Sequence, residues 1–203
     1  MVALIDYGVG NLFSLRSSFA AIGEAAEVTS SPEEIRRADR VILPGVGAFA
    51  DAAARLAESG LDEAVREAVR AGKPVMGICL GMQLLFDRSL EYGEHPGLGL
   101  LRGEIRPIAE RIGPGLKVPQ MGWNALIFKR PDCPLFRRIR EGEHVYFVHS
   151  YSAVGCGDSL AATAEYGAEL TACVWQDNLF GCQFHPEKSG ETGLRILKAF
   201  CEA

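Results

Sequence analysis

Cys79 sits in Gly77-Ile78-Cys79-Leu80-Gly81, a glycine-flanked setting that suits a cysteine nucleophile. A sharp strand-to-helix turn lifts the central side chain clear of the backbone, and the flanking glycines make room where the strand and helix come close. The start of a helix beside the sulfur favours the thiolate, its reactive form. The next backbone N–H, that of Leu80, would face the oxygen of a carbonyl under attack. Such a nucleophile needs a base, and the base needs a group to hold its tautomer. His185 meets both needs. Pro186 keeps it extended, and residues two apart in an extended segment share a face, which sets Glu187 beside the imidazole. Phe184-His185-Pro186-Glu187 therefore packages a base and its orienter.

The other histidines and cysteines fit this chemistry less well. His149, in Val148-His149-Ser150-Tyr151, is the next candidate base but lacks an adjacent carboxylate, and His95 reads as an exposed loop residue. Cys133 and Cys156 fall in Pro/Gly loops, Cys173 and Cys182 in apolar strands, and Cys201 in the last helix. No Cys-x-x-Cys pair or close His/Cys spacing suggests a zinc site, so no metal and no cofactor is expected. A second oxyanion donor is sought in Pro44-Gly45-Val46-Gly47, where closely spaced glycines let backbone amides face a ligand. Val46 or Gly47 would supply that amide; a plain turn is the alternative. The loop matches neither phosphate-binding glycine pattern.

These groups need elements to bring them to one place. The apolar runs Val2–Ile5, 41–43 and Val75–Ile78 show no alternation, as expected for strands of a parallel sheet buried on both faces. Residues 11–22 and 61–71 carry helical spacing between them, and residues 82–86 are expected to continue a helix from Cys79. Strand, helix, strand with right-handed crossovers predicts an α/β fold with a central, mostly parallel sheet. The second half is punctuated by Pro and Gly and adds runs at 145–148, Leu160–Glu165, 170–175 and 179–184 at hairpin-like spacing, hence antiparallel strands. A last amphipathic helix is expected over 191–201. Residues 1–203 read as a single domain, without repeats or a linker.

Composition narrows the function classes. The formal net charge of −5 argues against a grip on nucleic acid or an anionic membrane. No apolar run approaches the ~20 residues of a membrane span. The first residues lack the basic and apolar regions of a signal peptide. Reduced thiols and a cytoplasmic location follow as the expectation.

Gly-Ile-Cys-Leu-Gly-Met-Gln at 77–83, together with Phe-His-Pro-Glu at 184–187, resembles the class I (triad) glutamine amidotransferases. Within that family, three further segments resemble the glutaminase subunits of imidazole glycerol phosphate synthase. They are Asp6-Tyr7-Gly8-Val9-Gly10-Asn11, Pro119-Gln120-Met121-Gly122-Trp123-Asn124 and Pro186-Glu187-Lys188-Ser189-Gly190. The resemblance runs nearly end to end and is least diagnostic around residues 88–97. It implies that Cys79 attacks the carboxamide of glutamine, that His185 moves the proton and that Glu187 orients His185. It also implies that Gln83, with the backbone around Ser150 and Tyr151, holds the amino-acid end of glutamine. Asn11, Trp123, Tyr146 and Lys188 match positions near the interface with a (β/α)₈ cyclase subunit, the partner that would receive the ammonia. For Asn11 a helix N-cap is an equally simple reading, and for Trp123 an ordinary core or surface tryptophan is as simple as an interface role. Gln120 departs from the pattern, standing where relatives often carry His. The competing readings are a glutaminase for another synthase, such as anthranilate or aminodeoxychorismate synthase, and a stand-alone cysteine hydrolase.

Overall fold

The computed structural model describes all residues from Met1 to Ala203. The chain begins with β1 (Val2–Ile5), α1 (Leu12–Ala21), β2 (Ala26–Thr29), α2 (Pro32–Arg37) and β3 (Arg40–Leu43). Two helices follow, α3 (Phe49–Glu58) and α4 (Leu61–Arg70), before β4 (Val75–Ile78) and the one-turn helix α5 (Leu80–Gln83). The middle of the chain forms β5 (Phe86–Ser89), β6 (His95–Pro96), β7 (Leu101–Pro107), β8 (Gln120–Ala125) and β9 (Ile127–Phe128). It ends with β10 (His144–His149), β11 (Tyr151–Val154), β12 (Leu160–Glu165), β13 (Glu169–Gln176), β14 (Leu179–Cys182) and α6 (Gly190–Cys201).

Local chemistry explains the early elements. Every side chain of β1 and β4 is buried, which is why their sequences are continuous apolar runs rather than alternating ones. Ser31 caps α2, Pro32 occupies its first turn beside Glu33 and Glu34, and Arg36 and Arg37 close it, so caps and charges both suit the helix dipole. Asn11 accepts a hydrogen bond from the Ser14 N–H and caps α1.

The main sheet has eight strands in the order β2-β1-β3-β4-β14-β13-β12-β9. Pairing is parallel from β2 through β14 and antiparallel from β14 to β9. The expected mostly parallel centre with antiparallel additions is therefore present. Two smaller sheets, β10-β8 and β11-β7-β5-β6, stand beside it. Two hydrophobic clusters account for the core. Leu15 and Phe19 of α1 and Ile196, Leu197 and Phe200 of α6 belong to one; Ile35, Phe49, Leu56 and Val65, from α2, α3 and α4, belong to the other. No helix is long and apolar enough to cross a membrane.

Several boundaries differ from the sequence expectation. The helix expected over 82–86 is instead α5, a single turn that starts at Leu80, and Phe86 already belongs to β5. The carbonyls of Leu84 and Leu85 accept hydrogen bonds from the N–H groups of Leu98 and Leu101, so the next helical turn has lost its acceptors to another part of the chain. The strand expected to reach Phe184 ends at Cys182. The strand around 145–148 spans His144–His149 and pairs with β8 outside the main sheet. Helix α3 and the β5–β7 region carried no expectation from the sequence.

Candidate active site

β3, β4 and β14 are neighbours and run parallel, with Leu43 opposite Gly77 and Cys182 opposite Ile78. The segments that follow them therefore leave the sheet at one edge, its carboxyl end, where open α/β sheets place their sites. The loop at 44–47, Cys79 and His185 all leave there. A cavity of about 590 Å³ opens at this edge and is lined by Val46, Gly47, Cys79, Leu80, Gln83 and His185 among others.

Cys79 has φ 54° and ψ −112°, a conformation costly for a residue with a side chain. It is held by the Cys79 N–H donating to the Cys182 carbonyl at 2.7 Å. Close packing makes glycine obligatory next door: a Cβ on Gly81 would lie 1.8 Å from the Leu43 carbonyl oxygen. Gly45 also packs against the elbow, since a Cβ there would meet the Gly81 nitrogen at 2.8 Å. Tyr7 donates its hydroxyl to the Pro44 carbonyl at 2.7 Å and ties the loop down from β1. Leu80 is the first residue of α5, so its N–H has no acceptor within the helix.

His185 is 2 % exposed and its Nδ1 lies 2.8 Å from Glu187 Oε1. The two groups do meet, but not through the extended segment expected from the sequence: His185 is extended, while Pro186–Lys188 form a 3₁₀ turn that brings Glu187 back to the ring. His185 N–H donates to the Tyr146 carbonyl at 2.9 Å, and the Ser189 hydroxyl donates to the His185 carbonyl at 2.7 Å, so the His185 backbone is fixed on both sides. Its Nε2 and Glu187 Oε2 are buried without a hydrogen-bond partner. Burial opposes protonation of the ring, but hydrogen bonding and charge from Cys79, then Glu187, outweigh it and push His185 up to about 9. Nε2 is the ring nitrogen left free, and His185 and Cys79 line the same cavity.

The chain has one sequence profile match that covers nearly all of it: residues 3–203 fit the family described as glutamine amidotransferase class-I. The chain belongs to that family. Among curated proteins, it is 48% identical to the imidazole glycerol phosphate synthase subunit HisH of Wolinella succinogenes, over 100% of this chain and 99% of the relative. The subunit of the same name from Gloeobacter violaceus is 51% identical, over 99% of this chain and 88% of its own length. Among solved structures, PurLQS from Thermotoga maritima superimposes with a TM-score of 0.78 at 22% identity, covering 99% of this chain and 97% of that one. A structure described as a glutamine amidotransferase gives 0.77 at 21% identity, over 100% and 98% of the two chains. These two likenesses concern the fold.

The remaining residues singled out in the sequence of this class-I amidotransferase divide into two groups. Gln83, Ser150 and Tyr151 all line the cavity. Gln83 Nε2 donates to the Tyr151 carbonyl at 3.1 Å, so its amide is tied to the backbone that forms the cavity wall. Trp123, Tyr146 and Lys188 form a contiguous rim: the Trp123 and Tyr146 rings meet edge to face at 5.9 Å, and Lys188 Nζ lies 5.9 Å from the Tyr146 ring centre. Trp123 is 53 % exposed, which sets aside an ordinary core role. Asn11 is the N-cap of α1, and Phe13, two residues on, is 83 % exposed.

Three residues that the sequence did not single out belong to the site. Glu91 is the only carboxylate lining the cavity, and it accepts a hydrogen bond from the Phe49 N–H at the start of α3, at 2.6 Å. It comes from a loop with no periodic signal. Gln183 is fully buried beside Cys79. A polar residue in an otherwise apolar run, two before His185, was its available signal. Gln120, noted only as a departure, is buried with its side-chain amide 3.0 Å from His149 Nε2. His149 lines the same cavity but is 6 % exposed, donates Nδ1–H to the Tyr151 carbonyl at 2.8 Å, and is pushed by burial down to about 4. His95 is half-buried in β6, away from this cavity.

Proposed function

We propose that the chain is the glutaminase subunit of an imidazole glycerol phosphate synthase, hydrolysing glutamine to glutamate and ammonia and passing the ammonia to a (β/α)₈ cyclase subunit. The observation that carries the reading is identity near one half, along the whole chain, to subunits of that name. In this reading Cys79 Sγ, its proton already passed to His185 Nε2, attacks the carboxamide carbon. Glu187, at Nδ1, fixes the tautomer and stabilises the imidazolium. The Leu80 N–H and an amide of Val46 or Gly47 receive the oxyanion. Collapse returns the proton to the leaving nitrogen, releasing ammonia and leaving a γ-glutamyl thioester. Water, deprotonated by His185, then frees glutamate.

The amino-acid end of glutamine is met by opposite and complementary groups. Glu91, as the only carboxylate in the cavity wall, suits the α-ammonium. Gln83 and the backbone at Ser150 and Tyr151 provide the polar groups beside it. The exposed rim of Trp123, Tyr146 and Lys188, with Asn11 and Phe13 at the start of α1, suits docking of the cyclase, since aromatic anchors dominate such interfaces. Ammonia released into water would be lost as ammonium, so a docked acceptor over the cavity mouth matches the chemistry. No metal or cofactor takes part, and a cytoplasmic heterodimer is the expected setting.

The test is ammonia release from glutamine by the purified chain, alone and with the cyclase subunit and its nucleotide ligand, with Cys79→Ala as the blank. Stimulation that requires both the cyclase and Cys79 is expected. Activity indifferent to the cyclase would overturn the assignment to this synthase.

A further inference from the structure

Beside Cys79, running from the cavity wall at Tyr151 and Gln83 into the interior at Gln183, two buried glutamines form a chain of hydrogen bonds with a fixed direction. Gln83 is 5 % exposed and Gln183 fully buried. Gln83 Nε2 lies 3.1 Å from the Tyr151 carbonyl and 3.0 Å from Gln183 Oε1, and Gln183 Nε2 lies 3.7 Å from Cys79 Sγ. A glutamine amide can be turned end for end, so its direction has to come from its neighbours. Here one neighbour settles it. A backbone carbonyl only accepts, so Gln83 must present its NH₂ group to Tyr151. The second N–H of that group points at Gln183, which must answer with oxygen. Gln183 is then obliged to turn its own NH₂ toward the sulfur. Reversing Gln183 would set two NH₂ groups against each other and leave a buried amide unsatisfied, at a cost of about 1–3 kcal/mol. His149 Nδ1–H reinforces the same origin by filling the other lone pair of the Tyr151 carbonyl.

The sulfur faces two kinds of partner. As a thiol it donates to the Val148 carbonyl, 4.0 Å away. As a thiolate it has no proton to give that carbonyl, and the Gln183 N–H is the donor it retains.

We infer that Gln183 is a further catalytic residue: its side-chain N–H, aimed by the Tyr151 carbonyl through Gln83, stabilises the Cys79 thiolate and holds the sulfur toward the cavity. The inference rests on the reading of Cys79 as the nucleophile. When the thiol proton passes to His185 Nε2, the negative charge left on Sγ is received by the Gln183 N–H. Gln83 thereby serves as a positioning residue for Gln183, in addition to lining the cavity.

The experiment measures the rate at which iodoacetamide alkylates Cys79, identified by peptide mass, at pH 7 and at pH 10, in wild type, Gln183→Leu and Gln183→Glu. Glutaminase kcat and KM are measured in parallel. Loss of one N–H donor to a thiolate is expected to slow alkylation at pH 7 about threefold to tenfold in Gln183→Leu. The rates should converge at pH 10, where the thiol is ionised without help, and kcat should fall with little change in KM. Gln183→Glu keeps an oxygen for the Gln83 N–H but faces the sulfur with a carboxylate, so its pH 7 alkylation should be slower still. A role in packing alone would shift alkylation equally at both pH values, and that result overturns the inference. So does a folded Gln183→Leu, or Gln183→Glu should the leucine variant not fold, that matches wild type at pH 7. A wild type that is inactive even with the cyclase subunit and its nucleotide ligand, yet keeps the pH-dependent contrast, would instead sink the glutaminase reading and leave the role of Gln183 at the sulfur standing.

Discussion

His149 and His185 line one cavity, are both buried and come from segments joined by a backbone hydrogen bond, yet they are driven in opposite directions. Burial alone disfavours the charged imidazole in each. At His149 the ring nitrogens face the Tyr151 carbonyl and the Gln120 amide, neutral groups that do not repay the lost hydration, and the ring is pushed down to about 4. At His185 a carboxylate and a thiol flank the ring, and it is pushed up to about 9. Two buried histidines are thus driven apart by their partners: the one beside Cys79 and Glu187 is pushed toward holding a proton, the other toward a neutral brace for the cavity wall. His149 keeps the Tyr151 carbonyl in place, and that carbonyl aims Gln83 and Gln183.

The comparison breaks most visibly if the two residues are exchanged for a neutral analogue. His185→Asn is expected to cost about 10³–10⁴-fold in kcat for ammonia release. His149→Asn, which removes a brace and no proton carrier, is expected to cost about tenfold or less. Equal losses in steady-state assays would erase the distinction. Glu187→Gln comes next, at about 10²–10³-fold. It also removes a charge that raises His185, so the alkaline limb of the pH–rate profile, expected near 9 in wild type, should move to lower pH. A limb that stays put would mean that another group titrates there.

The smallest effect concerns stability. His149 has its folded pKa lowered from 6.5 to about 4, so the unfolded chain binds a proton that the folded chain refuses in that interval. Its contribution is fully present above pH 6.5 and is lost as pH falls toward 4, about 3 kcal/mol in all. Urea unfolding at pH 7 and pH 4.5 should show a smaller acid loss in His149→Gln than in wild type. An unchanged loss would show that His149 is not held neutral.

The same two histidines show what a sequence can disclose. The meeting of Cys79, His185 and Glu187 at one place was legible because it is encoded locally, by glycines two residues either side of Cys79 and by the short His-Pro-Glu run. That run nevertheless closes through a 3₁₀ turn rather than an extended segment. The parallel strands were legible because burial on both faces leaves a continuous apolar run, as in Val75–Ile78. What stayed hidden depends on distant partners. The turn after Cys79 looked like a longer helix because nothing near Leu84 announces that residues 98–101 take its acceptors. Glu91 reaches the cavity only because Phe49, far back in the chain, offers it an N–H. His149 lacked a neighbouring carboxylate in sequence, and none faces its ring in the structure, but its bonds to Tyr151 and Gln120 could be seen only once the strands were assembled.

The most direct test uses a glutamine analogue whose carboxamide is replaced by a diazoketone, with the labelled peptide mapped by mass in wild type, His185→Asn and His149→Asn. The account predicts label on Cys79 alone, blocked by glutamine, lost in His185→Asn and kept in His149→Asn. Label on another cysteine, or label that survives loss of His185 and vanishes with His149, would contradict it.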